Sequence, residues 1–523
     1  MELIEESSDP DKESDNDISK GSESGKDEYF IGKDKKTKWC KNQVVSKFSK
    51  TASKNIVKIF PGPRQCAKDV TNERSAFEKF FSDDIIENIV ECTNLQIAKM
   101  RIKYNRPRRV KDTTKTEFMA FVGLLLLAGT KKQNHTHFLE LWTKDGTGSE
   151  IFRAFMSYDR FLFLLAALRF DDKNTRSDRK LTDKLAAIRV TLDRFEENCT
   201  NNYCLGEEVT IDEMLVPFRG RCSFLQYIPS KPAKYGLKVF VLCEAQTFYV
   251  TNLEVYCGNQ PKGPYNQSNK PADIVHRLLQ NWKGKNRNLT CDNWYASYKL
   301  ANDLLKDKVT MVGTIRKNIR ELPLEFLPSK EREVGSSLFG FQKEITIVSY
   351  VPKKNKAVCL ISTMHNNSEV DPDTRKPNII LDYNCHKGGV DTIDKMCDTY
   401  SVSRRTQRWP MVIFFQLINI AGINSQILYN AANIANPQKY RRIFLKELSI
   451  SLMRPCLSER AEIQSLPLDV KLFLKRYKAV VEEHEGEEPP VKMRGRCYCY
   501  GRRKNRVTTI SCDTCSRMVC KEH

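Results

Sequence analysis

Apolar positions begin to recur at helical spacing near residue 80. Phe80-Phe81-Ser82-Asp83-Asp84 opens the first such stretch, with Ser82 placed to cap a helix and Ile85, Ile86, Ile89 and Val90 on one face. The same spacing predicts helices over 116–129, 159–170 and 183–198. From about 207 to 316 the pattern is strand-rich: runs at 237–243 and 247–255 read as neighbouring strands, and a short β-branched run ends at Asp292 before a helix-like stretch at 297–305. Strand-like runs return at 345–351 and 357–362, glycines then lead into a helix bearing Asp391 and Asp394, and Pro410 opens a long apolar helix over 411–428, followed by 440–452. No internal repeat is evident. Periodicity alone therefore specifies a mixed α and β protein whose strand-rich middle is preceded and followed by helices.

Outside that region the pattern fails. Residues 1–76 lack apolar periodicity and change from an acidic leader to a Lys-rich stretch at 33–58, which predicts a disordered tail. The first 30 residues hold 11 acidic and 3 basic side chains, a net of −8, so the remainder carries +29 of the total charge of +21. With a pI near 9.2 the body of the chain calls for a polyanionic partner, and the acidic leader can compete with phosphates for it.

At 523 residues the chain has room for several domains, each with its own core. The apolar run 118–129 is too short to span a bilayer and reads as a buried helix, which argues against a membrane partner. The opening Met1-Glu2-Leu3-Ile4-Glu5-Glu6 lacks the basic start and apolar run of a secretory leader, so the 18 cysteines are expected as reduced thiols rather than a disulfide framework. An acidic, proline-containing linker, 482–490, separates off the cysteine-rich end.

Three acids stand in contexts that suit catalysis. Asp212 ends the run Val209-Thr210-Ile211, Asp292 follows Leu289-Thr290-Cys291, and Asp391 follows Gly388-Gly389-Val390, with Asp394 one helical turn on and on the same face. Carboxylates gathered from distant segments are the hard oxygen donors that a pair of Mg²⁺ (or Mn²⁺) ions needs for in-line phosphodiester chemistry.

The flanking residues resemble the piggyBac family of cut-and-paste DNA transposases. The matching stretches include Met156-Ser157-Tyr158-Asp159-Arg160-Phe161, Tyr227-Ile228-Pro229-Ser230-Lys231-Pro232-Ala233-Lys234-Tyr235-Gly236-Leu237-Lys238 and Cys291-Asp292-Asn293-Trp294-Tyr295. They continue through Gly313-Thr314-Ile315-Arg316-Lys317-Asn318, Lys387-Gly388-Gly389-Val390-Asp391-Thr392-Ile393-Asp394 and Ser403-Arg404-Arg405-Thr406-Gln407-Arg408-Trp409-Pro410, in family order from about residue 77 onward.

The resemblance implies an α/β fold with an RNase H-like catalytic core and an insertion domain, flanked by a split helical domain and a C-terminal zinc-binding segment. The implied boundaries are a disordered tail at 1–76, the first part of a helical dimerisation and DNA-binding domain at 77–206, and the first part of the core at 207–318. An insertion domain at 319–377, the last part of the core at 378–400, the second helical part at 401–480, a linker at 481–494 and the Cys-rich segment at 495–523 complete the chain.

The function it implies is a nuclear, homodimeric enzyme that acts on double-stranded DNA. It would nick transposon ends, close and reopen hairpins and insert at TTAA, with Asp212, Asp292 and Asp391 as Mg²⁺ ligands and Asp394 as a further acid of the motif. Phosphate contacts are expected from Lys231, Lys234 and Lys238, from Arg316 and Lys317, and from Arg404, Arg405 and Arg408, with Trp409 stacking on an unpaired base. His386 reads as a surface histidine. Ile319 stands where the family usually carries a cation, a departure that favours the alternative of a domesticated DNA-binding protein without transposition activity.

The last 27 residues hold Cys497, Cys499, Cys512, Cys515, Cys520 and His523. The C-x2-C-x4-C-x2-H spacing over 512–523 is a strong zinc signal, because paired ligands can chelate one tetrahedral ion. The family's interleaved order would join Cys497, Cys499, Cys520 and His523 in one site and leave Cys512 and Cys515 short of two partners. We therefore expect one Zn²⁺ on the isolated segment from residue 491, read by native mass spectrometry; Cys520→Ser should release it and Cys512→Ser should not, and two zincs or none would reject the pairing. Binding of end DNA should also fall with salt, with a log–log slope of roughly −0.7 to −0.9 per phosphate neutralised; a flat titration would reject a polyanionic partner.

Overall fold

The computed structural model describes residues 28–43, 57, 59–104, 110–476, 495–496 and 507–508, and the zinc-ligand candidates Cys497, Cys499, Cys512, Cys515, Cys520 and His523 lie outside the described residues. The chain has a mixed α/β fold built on a sheet of eleven strands. Its strands are β1 (Tyr29–Ile31), β2 (Lys38–Cys40), β5 (Glu208–Pro217), β6 (Gln226–Tyr227), β7 (Tyr235–Glu244), β8 (Val250–Val255), β9 (Arg287–Cys291), β10 (Val309–Thr314), β11 (Ser337–Phe341), β12 (Thr346–Lys353) and β13 (Lys356–Ser362). The short strands β3 (Gly62–Pro63) and β4 (Tyr203–Cys204) pair separately, as do β14 (Gly495–Arg496) and β15 (Val507–Thr508).

The sheet runs β1-β2-β11-β12-β13-β10-β9-β5-β7-β6, with β8 also on β7. Its centre is parallel: β9 pairs in parallel with both β5 and β10, whereas β7 and β8 on one side and β13, β12 and β11 on the other are antiparallel. Parallel strands need covered faces. Accordingly Arg287 to Cys291 is buried throughout and Val209, Ile211 and Met214 are fully buried. Arg287 is tolerated there because its guanidinium donates to the carbonyls of Lys285 and Leu205.

Two units divide the chain: Met1–Cys92, Ala128–Asn134 and Arg169–Leu448 form the first, and Thr93–Leu127, His135–Leu168 and Ser449–His523 the second. The first holds the sheet and the helices α1 (Glu73–Glu78), α7 (Arg176–Arg179), α8 (Arg189–Asn202), α9 (Pro271–Leu278), α10 (Tyr298–Lys306), α11 (Asn378–His386), α12 (Gly389–Thr399) and α13 (Trp409–Ala432). Helix α13 is long and apolar enough to cross a membrane by length and composition, but it is almost wholly buried in the protein. Its Asn424 exchanges hydrogen bonds with the backbone of Val250, so it satisfies the outer edge of β8 that no further strand covers.

The second unit is helical. It contains α4 (Phe138–Leu141), α5 (Glu150–Phe155) and α6 (Tyr158–Ala167), together with parts of α2 (Asp83–Arg101), α3 (Lys115–Thr130) and α14 (Arg441–Ala461). Phe161 packs against Phe121, Phe138 and Trp142 at ring separations of 4.9–5.0 Å. Buried Arg160 binds Glu117 through two hydrogen bonds of 2.9 and 2.6 Å. Helices α3 and α14 approach closely at Gly123, where a Cβ would lie 2.7 Å from the Ser449 carbonyl.

Three expectations change. Residues 29–40 do not belong to a disordered tail: they supply two strands, because Trp39 is 1% exposed with its indole donating to the Glu321 carbonyl and Phe30 stacks edge-on against Phe326. Residues 319–377 build no separate layer, since β11, β12 and β13 extend the same sheet. The helix expected from 183 starts at Arg189, because the Asp183 carboxylate accepts from the Leu185 amide and from Arg189 and shapes a turn ahead of it.

Candidate active site

Strand register brings two of the acids level. Ile211 lies opposite Cys291 in the parallel β5–β9 pair, so the next residue of each, Asp212 and Asp292, leaves the ladder at the same height on adjacent strands. Asp292 is fixed by the turn it starts: its Oδ1 accepts from the Trp294 amide and its carbonyl from the Ala296 amide. Asp212 Oδ1 accepts from the Glu213 amide at 2.7 Å.

The third acid arrives on α12, which packs on β5 and β7. A Cβ on Gly389 would sit 3.0 Å from Cys243 Sγ and 3.1 Å from Thr210 Oγ1, so the glycine permits the close approach of helix to sheet. Val390, Ile393 and Cys397 form its buried face. Asp391 lies in the first turn with its side chain 65% exposed, and its Oδ1 accepts from Lys231 Nζ at 3.1 Å.

Lys231 ties the site together. It also donates to the Glu213 carbonyl; burial disfavours its charge, but Asp391, Asp212 and Glu213 outweigh that and hold the ammonium above its ordinary pKa. Burial, and then Glu213 and Asp292, push the Asp212 carboxyl up to about 8, and burial raises Asp292 as well. Asp394 is raised to about 6, by burial first and then by Asp398 and Asp391 against the opposing charge of Lys231. Such shifts describe clustered carboxylates short of positive charge.

The donor set is hard oxygen, which fits Mg²⁺ or Mn²⁺. Among the described residues no group of three or more His, Cys, Asp or Glu side chains is disposed to hold one ion, and Lys231 holds Asp391 instead.

The expected DNA contacts divide. Lys234 is exposed, in a left-handed backbone conformation (φ 55°), and Arg316 and Arg405 are exposed. Lys317 is half-buried and its carbonyl accepts from Lys33 Nζ. Lys238 lies over the rings of Trp294 and Phe240 at 4.6 and 4.9 Å and pairs with Glu213, so it belongs to the site's wall. Arg404 departs from expectation: it is 8% exposed, donates to the Asn134 carbonyl and is lowered to about 10 by burial, so it braces the chain from within. Arg408 is lowered to about 9 by burial and then by Arg169 and Arg176. Trp409 meets Phe224 edge-on at 5.1 Å and lines a cavity of about 670 Å³ with Lys180, Lys184 and Arg221.

His386 corrects another expectation. Its side chain is 15% exposed and sits among Glu208 and Asp382, so it is not a surface histidine. Glu213, beside Asp212, raises it and pairs with Lys238. The contact of His386 with Glu208 joins residues far apart along the chain, which no periodic or motif signal marks.

A family model described as transposase IS4 matches residues 72–426. Human PiggyBac transposable element-derived protein 3 is 26% identical over 363 residues, covering 65% of this chain and 59% of that protein, so the chain spans less than two thirds of that relative. Human PiggyBac transposable element-derived protein 5 is 20% identical over 385 residues, covering 70% of this chain and 72% of that protein. Among solved structures, the cryo-EM structure of a piggyBac transposase synaptic complex with hairpin DNA matches with a TM-score of 0.75 and 35% identity over 89% of this chain and 98% of that one.

If the glycine governs how α12 meets the sheet, Gly389→Ala should lower stability by about 1–3 kcal/mol in urea unfolding, because Thr210 and Cys243 must move. Gly388→Ala, whose Cβ would meet nothing within 4 Å, should stay within about 0.5 kcal/mol. Equal losses at the two positions would reject the close-approach argument.

Proposed function

The chain belongs to the transposase IS4 family, of piggyBac type, and from that premise we propose that it is a cut-and-paste DNA transposase that cleaves transposon ends by metal-dependent phosphodiester hydrolysis, passes through hairpin ends and inserts at TTAA. The observation that carries this reading is the placement of Asp212 and Asp292 at one height on adjacent parallel strands, with the helix bearing Asp391 packed over β5. The order β8-β7-β5-β9-β10, three antiparallel strands followed by two parallel ones, supports an RNase H-like core.

Asp212, Asp292 and Asp391 would hold Mg²⁺ or Mn²⁺. When bound, such ions supply activation of the attacking oxygen and stabilisation of the leaving one. The protein's own residues do the rest. Lys231 neutralises Asp391 and offers a donor to a phosphate at the site; Lys234, Arg316 and Arg405 present charge to the backbone; and the basic, aromatic-walled cavity at Trp409 offers a ring to an unpaired base. The structurally similar piggyBac transposase is seen in a synaptic complex with hairpin DNA, which supports DNA ends as substrate; a homodimer working in the nucleus completes the proposal. A domesticated DNA-binding protein is the second reading, favoured by Ile319 in place of a cation and by the engagement of Asp391 with Lys231.

End-cleavage assays in Mg²⁺ decide between them. Asp212→Ala, Asp292→Ala and Asp391→Ala should each reduce cleavage by roughly 1,000-fold or more with end-DNA affinity held within about threefold. Asp394→Ala should be milder. Cleavage by Asp212→Ala at the wild-type rate would remove that residue from the site, and DNA binding without cleavage by the wild type would establish the second reading.

A further inference from the structure

Strand β5 carries Glu208 four residues before Asp212, and Glu208 is buried. Its Oε2 accepts from Asn288 Nδ2 on β9 at 2.5 Å, and Asn288 Oδ1 in turn accepts from Thr310 on β10. The same Oε2 lies 3.8 Å from Nδ1 of His386, the last residue of α11, while Asp382 Oδ1 lies 3.3 Å from that nitrogen. Thr210 Oγ1, also on β5, donates to the His386 carbonyl at 2.8 Å. Three residues later the backbone enters α12, at the glycine that touches Thr210 and Cys243.

We propose that His386 and Glu208 form an ionic latch that fastens the α11–α12 junction to β5 and β9, so that His386 acts as a positioning residue for Asp391. The role in catalysis rests on the transposase reading; the latch itself does not. It works through geometry: one carboxylate reads both strands that carry the other two acids, and one imidazolium reads the junction that carries the third. Nothing else in the site needs His386, which lies five residues from Asp391 in sequence.

The charges facing the imidazole fix the direction of its response. Asp382 comes from its own helix, Glu208 from β5, and Glu207 adds negative charge beside Glu208. His365, beyond β13, faces Asp382 but is held below its ordinary pKa by burial, which leaves it neutral. The Asp382 carboxylate beside it and the charge of Glu208 raise His386 despite burial, and burial raises Glu208 to about 7. His386 is raised in the folded state, so the stabilisation from its charge is complete below its unfolded value and is lost as pH climbs through its folded one, and Glu208, raised by burial, loses stability in the same direction as its buried carboxylate ionises. The latch therefore opens on the alkaline side of pH 7, where carboxylates face an uncharged ring.

Amide hydrogen exchange of peptides covering 387–399, measured on the full chain without DNA or divalent ions from pH 6 to 9 and corrected for intrinsic rates, tests this directly. Wild type should lose protection roughly tenfold across the range. His386→Gln should be unprotected and flat with pH, Glu208→Gln should behave likewise, and His386→Lys, charged throughout, should retain protection at pH 9. Flat wild-type exchange, or His386→Gln indistinguishable from wild type, overturns the latch. In cleavage assays kcat should fall over the same pH interval while KM for end DNA holds, and His386→Lys should restore the alkaline rate. An enzyme that shows the exchange pattern but cleaves no DNA keeps the latch and refutes the transposase reading.

Discussion

A carboxylate placed in the middle of a strand buried on both faces must be compensated, and Asp212 sets that requirement for the whole site. Its carboxyl is driven up to about 8 by burial and then by Glu213 and Asp292, so the ionised form is disfavoured at neutral pH. The compensation is assembled locally. Lys231 reaches in from the β6–β7 loop, is held above its own pKa by three acids, and donates to Asp391 and the Glu213 carbonyl. The loop can deliver it because Lys234 accepts a left-handed conformation and the rings of Tyr227 and Tyr235 pack at a tilt across the strands, 4.7 Å apart.

Positive charge elsewhere in this unit is under the opposite strain. Arg408 is depressed to about 9 by burial and by the neighbouring Arg169 and Arg176, and a cavity walled by Trp409 and Phe224 collects Lys180, Lys184 and Arg221. Like charges held together and partly desolvated favour a polyanion more strongly than the same charges spread in water. The net of +29 beyond residue 30 thus has a structural expression: acids clustered at the strand ends, and cations gathered around the aromatic cavity. A nucleic acid bound with its counter-ions answers both.

Elements whose identity depends on local patterning were legible in the sequence. The helix at 116–129, the strands at 237–243 and 357–362, and the helix at 297–305 appear within a few residues of expectation, since periodicity is a local property. What was not legible depends on distant partners. Trp39 sits among lysines in a stretch without period, and its burial is created by Glu321, 282 positions on. Arg404 looks like a phosphate contact in its basic motif, but its side chain turns inward to Asn134. The site divides in the same way: the acids were visible from their flanking strands and glycines, whereas the Glu208–His386 contact joins residues 178 positions apart, without a motif, across an interface that only the fold creates.

This division bears on where the site can vary. Asp212 and Asp292 sit on strands whose relative height is fixed by four consecutive parallel register pairs, and a slip of one residue would exchange the two packed faces of β5 and move Asp212 off the level of Asp292. Asp391 has no such constraint. Its helix is held by side-chain packing, by Gly389 against Thr210 and Cys243, and by the polar contacts at His386. Packing and ion pairs are graded, whereas a strand register is all-or-none. The separation between the third acid and the first two is therefore the adjustable dimension of the site: substitutions at the α11–α12 junction shift Asp391 against strands that keep Asp212 and Asp292 level.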